Sequence, residues 1–273
     1  MSTTSTTSSG PRFVARRSED RGNADHGWLK SFHTFSFAMY QDYRFQKWGN
    51  LRVINEDRVQ PGEGFGTHPH SEFEIFSYIV SGELEHRDSM GNKEVLKRGD
   101  IQLTSAGTGI RHSEMTHGNG PVHFLQIWSV PQKNGLSPKY YNRHFTDEEK
   151  RDKFVLTVAP VGSEGVKETR DGDGPAPVQT QLRLYATIIS PGSSVSHTLK
   201  GASNGTSDSK AYIHVIQTSG YNEGKATGAL VKVNDNLNLS EGDGAFSQGA
   251  KGETITIENT GDVPAEVLLF DLE

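Results

Sequence analysis

The sequence predicts an all-β protein built as two stacked β units, and three observations support this fold class. Short apolar or alternating runs recur along the chain, and turns that contain glycine separate them. With 273 residues, including 30 glycines, the chain is long enough for two ordinary domains that each bury a core. The same β rhythm resumes after a connector of different composition, which indicates two units rather than one extended sheet.

The first half alternates strand-like runs with turns. Arg12–Ala15 could form a short opening strand, and Leu51–Val59 has strand composition with a Pro-Gly turn behind it. Ile75–Val80 is apolar on both faces, as expected of a strand that is covered on both sides. Val122–Val130 alternates and predicts a further strand. The aromatic segment His26–Phe37 is expected to pack in the core, with lining of a pocket as the alternative.

The second half repeats this texture after a change of character at residues 134–153. That segment is polar and charged and predicts a connector with a brief helical turn. We find no internal repeat by identity, so the two-unit architecture depends on the shared rhythm. Strands are expected at residues 154–159, 181–189, 212–218, 228–233, 253–258 and 266–270.

The composition excludes several classes of site. The chain has no cysteine, so disulfides and thiolate metal sites are ruled out and any metal must be held by nitrogen and oxygen. A formal charge of −6 without a clustered run of Lys and Arg disfavours direct binding of nucleic acid. No segment approaches about 18 consecutive apolar residues, so no membrane span is expected.

The first ten residues are rich in Ser and Thr and lack the basic and apolar parts of a signal peptide. We predict a disordered tail there. We therefore expect a cytoplasmic protein that is not secreted, with a nuclear location as the alternative in a eukaryotic cell.

Two short stretches carry side chains that bind metals. Gly66–His70 contains His68 and His70, and Ile110–Glu114 contains His112 and Glu114, in each case two residues apart. Because side chains of a strand alternate between its faces, the members of each pair point the same way. If the two strands face one interior, three imidazoles and one carboxylate converge. Such a set suits a divalent transition metal, and ligand type does not distinguish Fe, Mn, Co, Ni, Cu and Zn.

The remaining histidines lack companions at this spacing. We expect those of the first half to be surface or packing residues, and the second half to be free of metal. The first group comprises His86, His117, His123 and His144, and the second comprises His197 and His214.

Several of these residues match known motifs. Gly62, His68, His70, Glu74 and Gly82 resemble the first cupin motif, and Gly99, Gly107 and His112 resemble the second. Residues 33–37, 66–70 and 105–114 more specifically resemble the pirin family, and within it the bacterial pirin-like quercetin 2,3-dioxygenases.

The resemblance implies a bicupin of two tandem jelly-roll-like β-barrels. It places a metal-binding N-terminal domain at residues 11–145, after the tail at 1–10, and a metal-free C-terminal domain at 146–273. It implies one divalent metal, expected to be Fe(II), held by His68, His70, His112 and Glu114. Glu74, a ligand in many cupins, then becomes a neighbouring or pocket carboxylate.

The resemblance also implies a dioxygenase that opens the heterocycle of quercetin-like flavonols with O2 and releases carbon monoxide. Glu114 or Glu74 would take the proton of the flavonol hydroxyl. A flat aromatic substrate needs an apolar mouth, and the candidates for it are Phe35, Phe37, Phe76, Tyr78 and Met115.

Two other functions stay open. The family includes regulators, so a metal-binding, redox-sensing protein that docks a protein partner as a transcriptional cofactor is the alternative. A cupin with a merely structural metal is a third possibility, although structural sites are usually closed tetrahedra that often use cysteine.

Overall fold

A computed structural model describes residues 10–201 and 208–273, and this part of the chain is almost entirely β-structure. The predicted tail lies outside the described residues except for Gly10. The one α-helix described, α1 (Asp147–Lys150), is far too short to cross a membrane. The strands are β1 (Arg12–Arg16), β2 (Gly22–Asp25), β3 (Leu29–His33), β4 (Leu51–Val59), β5 (Gly64–His70), β6 (Glu74–Ser81), β7 (Glu83–Asp88), β8 (Lys93–Lys97), β9 (Asp100–Ser105), β10 (Ile110–Thr116), β11 (Val122–Ser129), β12 (Lys139–His144), β13 (Val155–Pro160), β14 (Ala176–Val178), β15 (Leu182–Ile189), β16 (Ser194–Thr198), β17 (Asp208–Val215), β18 (Leu230–Val233), β19 (Leu237–Ser240), β20 (Gly244–Ala250), β21 (Thr254–Asn259) and β22 (Ala265–Leu272).

The described strands form two pairs of sheets. The N-terminal sandwich packs the seven-stranded sheet β12-β9-β6-β11-β4-β3-β2 against the four-stranded sheet β5-β10-β7-β8. The C-terminal sandwich packs β1-β20-β17-β22-β15-β13-β14 against β16-β21-β18-β19. This is the predicted all-β, jelly-roll bicupin architecture. Each unit consists of two separate sheets rather than one ladder closed into a barrel.

The first strand crosses to the sandwich that the second half of the chain forms. β1 comes first in the sequence but pairs antiparallel with β20, so it belongs to the C-terminal sandwich. β12, which leads into the second half, pairs with β9 of the N-terminal sandwich. The predicted domain boundary at 145/146 stays a prediction, but residues 12–16 lie in the other unit's sheet.

Three hydrophobic layers follow from this arrangement. The two seven-stranded sheets face each other, and side chains such as Phe76 and Leu125 of one sheet pack with Phe270 of the other. A second core, which includes Ile213 and Ile257, fills the C-terminal sandwich. The corresponding core of the N-terminal sandwich has fewer members, because polar side chains occupy part of its interior.

A buried carboxylate joins the two sandwiches. Glu56 of β4 is fully buried and accepts hydrogen bonds from Arg21, from His123 of β11 at 3.0 Å, and from His214 of β17 at 3.1 Å. The backbone N–H of Gln217 adds a fourth, at 2.8 Å. Burial alone would raise its pKa, but these hydrogen bonds and the charge of Arg21 hold the pKa of Glu56 well below its ordinary value.

The sequence located most strands and missed some. The Leu51–Val59 strand is confirmed residue for residue, and the helical turn expected within 134–153 is present as α1. The prediction that residues 134–153 are only a connector is wrong, since β12 lies within them. The sequence of β12 is polar at most positions and has no long apolar run, so it shows no pattern typical of a strand.

Candidate metal centre

The two metal-binding stretches lie side by side. β5 forms the edge of its sheet and pairs with β10, so that His68 stands opposite His112 and His70 opposite Ile110. Pro69 fits in β5 because an edge strand does not need every N–H for its ladder. The alternation predicted from the sequence is observed on β10, where His112 and Glu114 are both buried.

The three predicted imidazoles form a nearly equilateral triangle. The ring centroids of His68, His70 and His112 are 4.6–4.8 Å apart in every pair. Nδ1 of His68 donates to the carbonyl oxygen of Gly66 at 2.7 Å, which leaves the lone pair on Nε2. Burial, aided by the neighbouring imidazoles, lowers the pKa of His70 to about 4 and that of His112 to about 3. Both rings are therefore neutral at pH 7, as metal binding requires.

Glu114 is held beside this triangle. It is 1% exposed, and its two carboxylate oxygens accept from Ser77 Oγ at 3.0 Å and from Gln126 Nε2 at 2.6 Å. No Lys, Arg or His forms an ion pair with it within the described ranges. A buried carboxylate without a counter-charge is costly, so this arrangement fits a cation nearby.

The donor set passes a geometric test for a metal ion. The Nε2 atoms of His68 and His112 are 3.1 Å apart. Two nitrogens bonded at about 2.1 Å to one ion and at right angles to each other are separated by about 3 Å. Nitrogen and carboxylate donors suit a first-row transition metal. The three imidazoles therefore fit the predicted metal, and the assignment of Glu114 as the fourth ligand stays a prediction.

His86 lies next to the predicted centre. The sequence offered a surface or a packing role, and His86 is fully buried, with its ring centroid 5.2 Å from that of His112 and 5.0 Å from that of Tyr140; a place among the possible ligands was not predicted. It stands opposite Glu114 in the β7–β10 ladder, and these two residues and His112 form a second possible ligand group that shares His112 with the first. Its Nε2 lies 3.3 Å from Asp88 Oδ2. The His86-x-Asp88 spacing, the same as in the other pairs, was the available clue.

The structure places several predicted residues away from the centre. Glu74, Phe76 and Tyr78 alternate with Ser77 on β6, and because Ser77 faces Glu114 they face the opposite side of the sheet. Phe76 and Tyr78 pack between the sandwiches, and Glu74 accepts hydrogen bonds from Ser105 and from the backbone of Gln179. The role of Glu74 as a proton acceptor in the pocket is thus corrected.

The predicted aromatic mouth is only partly correct. Phe35 packs between the sandwiches, with its ring 5.8 Å from that of Phe246, and Met115 lies on the opposite face of β10 from Glu114. Phe37 does line the cavity at the metal centre. The alternative for His26–Phe37, a pocket wall, is observed for part of that segment.

That cavity has a volume of about 650 Å³ and opens on the predicted ligands. Ligand pockets typically measure about 300–1,000 Å³, so it accommodates a small organic molecule. His68, His70 and Glu114 stand at one side. The remaining walls are formed by Asn23, Ala24, His26, Trp28, Leu29, Ser31, His33, Phe37, Ala38, Met39, Tyr40, Asn55, Asp57, Phe65, Gln126 and Trp128.

Comparison with known proteins agrees with these features. The sequence profile of the family described as Pirin matches residues 14–129. Quercetin 2,3-dioxygenase of Escherichia coli strain K12 is 37% identical over 258 residues, which cover 94% of this chain and 97% of that protein. A pirin-like protein of Caulobacter vibrioides is 37% identical over 178 residues, or 65% of this chain and 73% of that protein.

Solved structures extend the likeness to three dimensions. The crystal structure of YhhW from Escherichia coli superposes with a TM-score of 0.79 at 35% identity and covers 96% of this chain and 98% of its own. The bacterial pirin YhhW in complex with nickel(II) gives a TM-score of 0.78, also at 35% identity, over 96% of this chain and 99% of its own. Together with the two-sandwich fold and the clustered histidines, these matches show that the chain belongs to the pirin family.

Proposed function

We propose that the protein is a metal-dependent dioxygenase that opens the heterocycle of quercetin-like flavonols. In the overall reaction, one flavonol and one O2 yield a ring-opened ester and carbon monoxide, and both oxygen atoms end in these products. The observation that carries the proposal is the cavity, which brings a set of metal ligands and apolar aromatic walls together in one space. The names of the Escherichia coli relatives support it.

The proposal assigns His68, His70, His112 and Glu114 to one divalent transition metal. We expect Fe(II), while the nickel(II) complex of YhhW supports a site that accepts other divalent ions. A metal bound there would lower the pKa of a coordinated hydroxyl and leave coordination positions open for the reactants.

The protein's own groups would orient the substrate and manage its proton. Trp28, Phe65 and Trp128 line the cavity with apolar aromatic surfaces. These surfaces would exclude water and pack against an aromatic ring of the substrate. Ser77 and Gln126 fix the carboxylate of Glu114, which is the acidic group of the ligand set and can accept the hydroxyl proton. Glu74 takes no part in this proposal.

Two further parts of the proposal have indirect support. The C-terminal domain, which we assign to residues 146–273 and whose sheet β1 joins, is proposed to be free of metal, because the hydrophobic core of its sandwich is built mainly from aliphatic side chains. We also propose a cytoplasmic location, which imaging of the tagged protein would test.

The decisive experiment combines metal analysis with an aerobic flavonol assay. Purified protein loaded with Fe(II) should bleach the quercetin absorbance and release carbon monoxide in equal amounts, and a chelator should stop both. Protein that holds stoichiometric metal but leaves quercetin unchanged under air would contradict the proposal.

A further inference from the structure

One wall of the cavity carries a row of polar side chains that the proposed reaction does not use. Ser31 and His33 of β3 stand directly opposite Asp57 and Asn55 of β4 in the ladder, and all four line the cavity. We call these four residues the acceptor strip. They are 1–5% exposed, so little of their surface faces open solvent.

The hydrogen bonds within the strip determine which of its atoms are left to bind a ligand. Nδ1 of His33 donates to Asn55 Oδ1 at 2.8 Å, and the hydroxyl of Ser31 donates to Asp57 Oδ1. The lone pair of His33 Nε2 and the second oxygen of Asp57 have no hydrogen-bond partner in the described part of the chain. The strip therefore presents two hydrogen-bond acceptors to the cavity, beside the N–H groups of the Asn55 amide.

The surroundings shift the pKa values of Asp57 and His33 in opposite directions. Burial, with added repulsion from Glu114 and Glu56, raises the pKa of Asp57 to about 7 against the effect of the Ser31 hydrogen bond. Burial also lowers the pKa of His33, so this ring stays a neutral acceptor. With a pKa of about 7, the carboxyl group of Asp57 is close to half protonated at neutral pH, and its charged form has one oxygen to which the hydroxyl group of a ligand can donate.

The aromatic neighbours define the shape of such a ligand. The ring of His33 lies 5.4 Å from that of Phe37 and is stacked at 6.4 Å on that of Tyr40. Both aromatic residues line the same cavity. Flat rings favour a flat ligand in offset stacking, so the donors should be hydroxyls on the edge of an aromatic ring.

We propose that the acceptor strip selects the substrate by binding phenolic hydroxyls other than the one at the metal. This inference rests on the proposed function and names the substrate class more narrowly, as polyhydroxylated rather than bare flavonols. A site built to hydrogen-bond a substrate hydroxyl rejects an analogue that lacks it by a large factor, because its own buried groups then stay unpaired.

The test compares quercetin with 3-hydroxyflavone, which carries only the hydroxyl at position 3. We expect wild-type holoprotein to favour quercetin by about 100-fold in kcat/KM. Asp57→Asn and His33→Phe should each lower kcat/KM for quercetin about 10-fold or more and leave that for 3-hydroxyflavone nearly unchanged. Asp271→Asn, which neutralises a buried carboxylate paired with His197 outside the cavity, is the matched control.

The outcomes separate this inference from the proposed function. Equal losses for both substrates, a change in metal content, or no preference in the wild type would overturn the role of the strip while flavonol turnover stands. If no flavonol is turned over, the proposed function fails. Equilibrium binding of the two compounds, followed by quenching of tryptophan fluorescence, then decides the strip: tighter binding of quercetin that both variants abolish supports it, and equal binding refutes it.

Discussion

The two four-stranded sheets share one topology, but one covers a polar interior and the other an aliphatic interior. In both β5-β10-β7-β8 and β16-β21-β18-β19, the first strand of the sheet in chain order lies at the edge, followed by the fourth, the second and the third. On β10 the buried side chains include His112 and Glu114, whereas on β21 they include Ile255 and Ile257. The N-terminal sandwich thus has polar groups at positions where the C-terminal sandwich has aliphatic side chains. The comparison shows that the strand framework tolerates a metal centre without specifying one.

Replacing one metal ligand should leave the N-terminal sandwich without metal and without activity, as we propose for the C-terminal sandwich. His70→Ala removes one of three converging imidazoles, so we expect loss of stoichiometric metal and a fall of flavonol turnover to background. Metal analysis and the aerobic assay measure both. His197→Gln, a buried histidine of the C-terminal sandwich, is the control and should retain both. Full metal content and turnover in the His70 variant would refute the assigned centre.

The two buried glutamates of the N-terminal sandwich can be distinguished in the same way. Glu114→Gln removes the carboxylate that we assign as the fourth ligand and should weaken metal binding by about 10–100-fold or more. Glu74→Gln should leave metal affinity unchanged, since its carboxylate bonds Ser105 on the other face of the sheet. Competition with a chromogenic chelator gives both affinities. An equal loss of metal affinity in both variants would contradict the assignment of Glu114, rather than Glu74, to the metal.

The contact between the sandwiches should matter for stability rather than for metal. Glu56→Gln leaves His123, His214 and Arg21 without a buried anion, and we expect the free energy of unfolding to fall by about 3–5 kcal/mol. Denaturant unfolding measures this. Glu168→Gln, in an exposed pair with Lys139, should change it by less than about 1 kcal/mol. Similar effects in both variants would contradict a special role of the buried cluster.

Acid should destabilise the metal-free protein through the N-terminal interior. His70 and His112 have native pKa values of about 4 and about 3, so the unfolded chain binds protons near pH 6.5 that the native chain does not. Stability should therefore fall as the pH drops below about 6.5, by up to about 1.4 kcal/mol per pH unit for each histidine.

A second loss should follow below about pH 4, where Glu56 of the unfolded chain becomes protonated and the native group stays charged. Unfolding curves at several pH values after chelation test the profile. The raised pKa of Asp57 acts in the opposite direction over the same range, so the test compares two variants. The His70→Ala variant should show a shallower slope than the wild type between pH 6.5 and 4, and equal slopes would refute the assignment.

Sequence reasoning succeeded where structure depends on local periodicity. The strand Leu51–Val59 and the facing directions of His68, His70, His112 and Glu114 follow from alternation alone, and the fold class follows from the spacing of turns. β20 (Gly244–Ala250) was missed because glycine and small polar residues give no strand pattern, although its first four residues are buried.

It failed where a residue's role depends on distant pairing. His86 lies near the centre because β7 pairs with β10, and the His86-x-Asp88 spacing by itself does not reveal that pairing. Glu74, Phe76 and Tyr78 sit on a strand buried on both faces, so the pattern could not tell which face looks inward to the centre and which looks to the other sandwich. His33 and Asp57 likewise meet only through the ladder.

The pairing of β1 closes an edge that the second half of the chain cannot close by itself. β1 precedes its partner β20 (Gly244–Ala250) by most of the described chain. During synthesis β20 therefore presents an open edge until β1, which is already made, pairs with it. A fragment that begins at residue 146 would keep that edge open, so a C-terminal sandwich cut at that boundary lacks one strand of its own sheet.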